Sequence, residues 1–140
     1  MNLYGWLIGS WEMDTVHYLD DGTIQKWDGE CHFDWVLEGR AIQDVWIRPK
    51  RPAPSTMYGT TLRIFDPGID GWHIIWNDPL NRDHSRQIGR AEGKDIVQLG
   101  TDSRGLKTRW RSLRSLPTAS IGSARKDLPR AILGESRMNI

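Results

Sequence analysis

Turn signals punctuate this chain at short, regular intervals, and between them lie runs too short and too β-prone for anything but strands. The signals are Asp21-Gly22, Glu38-Gly39, the 48–55 loop, Pro67-Gly68 with Asp70-Gly71, Asn77-Asp78-Pro79, Glu92-Gly93 and Arg104-Gly105. The intervening runs, rich in Trp, Ile, Val, Thr and Phe, predict strands over 10–18, 24–37, 41–48, 58–65, 72–77, 85–91, 95–100 and 107–113. Pro49, Pro52 and Pro54 make 48–55 a loop, because proline donates nothing to a sheet ladder. No window in this part keeps a helical period beyond two turns, and Tyr4–Ile8 suits one helical turn before the first strand. The expectation is an all-β, antiparallel sandwich or barrel.

Strand alternation then assigns faces. Cys31, Phe33, Trp35 and Leu37 share one side of the second strand, with His32 and Asp34 on the other. Trp72, Ile74 and Trp76 share a face of the fifth, opposed by His73 and Ile75. In the third, Ile42, Asp44 and Trp46 oppose Ala41, Gln43, Val45 and Ile47. A carboxylate among large apolar neighbours suits a barrel that puts a polar group inside a ligand cavity.

Composition narrows the function classes. The 140 residues hold 19 Lys plus Arg against 18 Asp plus Glu, so the net charge is +1 and neither a basic nucleic-acid binder nor an acidic disordered chain is indicated. Mean hydropathy is −0.57, and no apolar run exceeds three residues, as at Trp6–Ile8, so no membrane span is expected. MNLYGWLIGSW shows no basic n-region or small-residue cleavage pattern, so no secretory signal is read there. One cysteine, Cys31, excludes an internal disulfide and fits a reducing cytoplasm. All eight tryptophans lie within 6–110. Residues 111–140 have no aromatic and carry six basic against two acidic groups, net +4, leaving 13 against 16, net −3, before them. The reading is a barrel body at 1–113 and an atypical C-terminal tail at 114–140 within a single domain. Six tail charges without interleaved aromatics make a poor nucleic-acid platform.

The residues also resemble a family. A Gly-x-Trp (Gly9, Ser10, Trp11) opens the first strand, and FDWVLEGRAIQDVWI (33–47), YGTTLRIFDPGIDGWHIIWNDP (58–79) and GRAEGKDIVQLGTDSRGLKTRW (89–110) follow in order. Together these are similar to the lipocalin-like, calycin-type bacterial family of unknown function DUF1579. The resemblance implies a closed antiparallel lipocalin-like barrel with an internal cavity, and no agreed reaction. Residues 114–125, RSLPTASIGSAR, depart from it. A family-like EITPDSFHWLGE segment, back-translated and read one base late, encodes these residues, so the tail is read as an out-of-frame version of the closing strands, or else as divergent. In the first case the edge stays open, inviting a homodimer through it, or the tail packs irregularly. Residues 124–134 would make a loose helix interrupted by Pro129.

Chemistry follows from what can converge. His17, His32, His73 and His84 lack metal-ligand spacing, so no metal is expected. The run GSWEMDT lacks the later glycines of haem-binding nitrobindin-like barrels, and no cofactor is expected. Cys31 and His32 are adjacent on a strand and point apart, so Cys31 reads as a buried thiol. There is no Gly-x-Ser-x-Gly elbow, phosphate loop or dinucleotide fingerprint. Trp35, Trp46, Trp72, Trp76, Trp110 and Phe33, with Arg63, are the expected walls of a site for a small apolar or aromatic molecule, unless they serve only as core. The alternative is a cofactor-free isomerase, cyclase or lyase working by acid–base catalysis. Asp44 would pair there with Arg63 or Arg109 across the barrel, His73 would assist, and Asp34 is a second candidate acid.

Overall fold

The computed structural model describes residues 3–18, 21–102, 105–112 and 130–138. A 3-10 turn, η1 (Gly5–Leu7), precedes β1 (Gly9–Tyr18), β2 (Ile24–Val36), β3 (Ala41–Arg48), β4 (Met57–Asp66), β5 (Gly71–Asp78), β6 (Asp83–Glu92), β7 (Asp95–Thr101) and β8 (Lys107–Ser112), with β9 (Arg130–Met138) last. The eight strands and the N-terminal turn expected from the sequence are all present. Each of β1 to β8 pairs antiparallel with the next, and β9 joins β8 to β1 to close the barrel.

The ninth strand was not legible. It runs antiparallel to β8 and parallel to β1. An odd-numbered meander can close only with one parallel pair, because strand direction alternates. A register shift interrupts each of its ladders, between Asp14 and Val16 and between Arg111 and Ser112. The loose helix over 124–134 is corrected for its described part: from Arg130 onward the backbone is strand. Two sheet edges offer that segment a full set of backbone partners, which outweighs a weak helical pattern. The edge foreseen as open is thus occupied, while residues 114–129 of the tail lie outside the described residues.

Register fixes what the barrel contains. Phe33 opposes Asp44, Asp44 opposes Thr61, and Thr61 opposes Trp76, so these residues share the inner face. Ile42, Arg63 and Ile74 line the next layer, and Cys31 with Trp46 the layer beyond Asp44. The buried core comprises Tyr4, Leu7, Cys31, Phe33, Ile42, Trp72, Ile74 and Ile96. Burying each large apolar side chain contributes ~1.5–3 kcal/mol. Tyr4 comes from outside the strand pattern. Its ring meets Trp72 edge-on at 5.1 Å, and Trp72 also contacts Phe65 at 5.5 Å, so the N-terminal segment fills this end of the barrel. Gly89 makes room for the Tyr4 hydroxyl, which an added Cβ there would meet.

Candidate functional site

Two polar features lie inside the apolar barrel. The first is an ion pair between Asp44 on β3 and Arg63 on β4, whose side chains are 0% and 3% exposed. Asp44 Oδ2 accepts from Arg63 Nη1, and Asp44 Oδ1 accepts the Thr61 backbone N–H at 2.8 Å. The guanidinium carbon sits 5.1 Å from the Tyr4 ring centre and 5.2 Å from that of Phe33. Arg63 is therefore held by one carboxylate and two ring faces, each face worth up to ~2 kcal/mol when desolvated. Beside it runs a donor chain: the Tyr4 hydroxyl donates to Gln98 at 3.0 Å, Gln98 Nε2 to Gln87 at 3.2 Å, and Gln87 Nε2 to Thr108 at 3.1 Å. Burial pushes the Tyr4 hydroxyl well above its ordinary range, against the opposing charge of Arg63, so it remains a donor.

The second feature lies further along β3. Trp46 meets Trp76 at 6.5 Å and Phe33 at 6.4 Å, both edge-on. Gly59 permits the closeness, since an added Cβ would come within 2.6 Å of Trp76 Cζ2. Trp76 Nε1 donates to Asp83 at 3.3 Å. Trp46 Nε1, by contrast, is buried and has no acceptor among the described residues. A buried donor without a partner costs about 1–3 kcal/mol, so this atom marks a place where an acceptor would be welcome. Arg48, one inward position on, stacks 4.5 Å over Trp27. Burial holds its guanidinium below the ordinary value, with the nearby charge of Asp78 opposing. Asp78 accepts the Leu80 and Asn81 backbone N–H groups at 2.9 and 3.3 Å.

The expected site residues divide by face. Phe33, Asp44, Trp46, Arg63, Trp72 and Trp76 come together inside. Trp110 opposes Gln98, and so shares the inner parity and is half-buried. Trp35 has the inner parity too, but it sits at the end of β2 and is 41% exposed, which removes it from an enclosed site. The grouping of His73 and Arg109 with Asp44 is corrected. His73 alternates with Trp72 and Ile74, lies outside, and bonds Asp66 at 2.8 Å. Arg109 alternates with Trp110, lies outside, and reaches Glu92 at 3.3 Å. Of the two arginines weighed for Asp44, Arg63 is the partner. Asp34 is exposed and caps its own strand through the Trp35 backbone N–H.

Tyr4, Gln87, Gln98 and Thr108 escaped the sequence reading. Tyr4 precedes the first strand and carries no periodic signal, while the other three are polar residues at inward parity, a signal that strict alternation along β6 to β8 did hold. Cys31 is buried and faces away from His32, as alternation required. Burial, then the charge of Asp44, pushes its thiol well above the usual range. Among the described residues no helix is long and apolar enough to cross a membrane, and no cluster of three or more His, Cys, Asp or Glu side chains could hold a metal ion. No protein-family model matches the chain, and no curated protein matches it.

Proposed function

We propose that this barrel binds a small, largely apolar or aromatic molecule carrying one hydrogen-bond acceptor, held among the inward tryptophans. The observation that carries this reading is the buried Trp46 Nε1, a donor without an acceptor beside the faces of Phe33 and Trp76. Indoles give rigid apolar walls and one oriented donor, which together select flat molecules with a carbonyl or carboxylate edge. A single buried thiol suits a reducing compartment, and so supports a cytoplasmic setting.

Asp44 serves this reading as a fixed charge, since both of its oxygens are already engaged. The experiment is a titration of intrinsic tryptophan emission with 2-naphthoate, which has an acceptor edge, and with naphthalene, which lacks one. Both should quench. Trp46→Phe should weaken naphthoate about five- to tenfold, the worth of one hydrogen bond of ~1–1.5 kcal/mol, and leave naphthalene unchanged. Saturable quenching by neither probe contradicts the proposal.

A further inference from the structure

On the outer face, β1 and β2 align three side chains in a hydrogen-bonded row. Ser10 and His32 are directly opposed in the ladder, and Glu30 follows His32 at the next position on the same face. Ser10 Oγ lies 2.7 Å from His32 Nδ1, and His32 Nε2 lies 3.0 Å from Glu30 Oε1. Arg51, from the loop after β3, grips the carboxylate from the other side. Its backbone N–H donates to Glu30 Oε2 at 3.1 Å and its Nε to Oε1 at 2.8 Å. Burial works against ionisation of Glu30, but hydrogen bonds from Arg51 and His32 prevail and bring its carboxyl down to about 2. An ionised carboxylate only accepts, so the His32 proton resides on Nε2. In the neutral imidazole, Nδ1 then offers its lone pair to the Ser10 hydroxyl, which donates.

We propose that Ser10 is an activated nucleophile on the outer face of the barrel, with His32 as its base and Glu30 as a positioning residue, acting on small carboxylic esters. The order hydroxyl, imidazole, carboxylate is what makes a serine nucleophilic, whichever fold supplies it. Access is open, because the His32 side chain is 39% exposed and Ser10 is half-buried. Ser10 Oγ attacks the ester carbonyl carbon while its proton passes to His32 Nδ1. The tetrahedral adduct then expels the alcohol, which takes that proton and leaves Ser10 acylated. A water, giving its proton to the same nitrogen, attacks the acyl carbon; the acid departs and Ser10 recovers its hydrogen.

The full chain treated with a fluorophosphonate probe tests this, since that reagent forms an Oγ–P bond only at an activated serine and releases fluoride. The label should map to Ser10 by peptide mass spectrometry and be absent in Ser10→Ala. His32→Gln should slow labelling about a hundredfold, the lower end of what a positioned base supplies, at unchanged tryptophan emission. Glu30→Ala should slow it as well, and Glu30→Asp should restore most of the rate, which a merely structural carboxylate would not show. A wild-type chain unlabelled at Ser10, or His32→Gln labelled as fast as wild type, overturns the proposal.

Discussion

Removing the charge of Asp44 while keeping its shape isolates the buried ion pair. In Asp44→Asn the side chain can still accept the Thr61 N–H, but Arg63 is left as an uncompensated cation at 3% exposure. The two flanking rings, 5.1 and 5.2 Å away, recover only part of the lost attraction. Breaking one side of a buried pair costs about 3–5 kcal/mol, which for a domain of this length lowers Tm by roughly 10–20 °C. Arg63→Met should cost a similar amount by stranding Asp44. The double variant Asp44→Leu/Arg63→Met removes both desolvated charges and should be no less stable than either single variant. Urea unfolding followed by tryptophan emission measures all three. A loss below about 1 kcal/mol in Asp44→Asn, or single effects that simply add in the double variant, would refute the view that the pair is a mutually dependent unit.

Other consequences are more local. Gly59→Ala should destabilise by about 1–3 kcal/mol and shift the Trp76 emission, because the new methyl takes the space of its ring; an unchanged spectrum would contradict the packing. Tyr4→Phe strips the donor from buried Gln98 and should cost ~1–3 kcal/mol in urea, with the barrel otherwise intact by circular dichroism. Cys31 should resist iodoacetamide at pH 8 in the native chain and react at once in urea, its thiol being buried and raised. The folded-state value of Glu30 lies below its ordinary 4.5, at about 2, so it contributes stability above pH 4.5 that is lost as pH falls toward 2. Arg51→Ala should make that acid-side fall shallower when urea midpoints are compared between about pH 4.5 and 2.

Much of this was written in local pattern. Turn residues such as Glu38-Gly39 and Asp70-Gly71 delimit hairpins whose backbone enters the left-handed region at Leu37, Glu38, Gly39 and Asp70, and period-two alternation placed Asp44 with Trp46 on one face of β3 and Trp72 with Trp76 on one face of β5. What alternation cannot give is which residues from distant strands meet. Arg63 and Arg109 look equivalent as partners for Asp44 in the sequence, and only parity carried ladder by ladder from β3 to β8 sends one inward and the other out. Strand ends escape the pattern for a further reason. Trp35 keeps the inner parity but lies where the barrel opens, and parity carries no depth. Closure by β9 was invisible because its pairing is entirely non-local, and its sequence, RAILGESRM, alternates poorly. The Ser10–His32–Glu30 row was likewise hidden, since the first two residues are far apart in the chain and become neighbours only through the β1–β2 register.

The proposed binding site turns on the Trp46 indole N–H, a buried donor with no acceptor among the described residues. An ¹⁵N-resolved NMR titration reports on that atom directly, with its indole resonance assigned by its disappearance in Trp46→Phe. Adding 2-naphthoate should move this Nε1–H signal downfield, as a hydrogen bond forms, and more than that of Trp76, which already donates to Asp83. A Trp46 indole signal that stays in place while naphthoate saturates the protein would contradict the account.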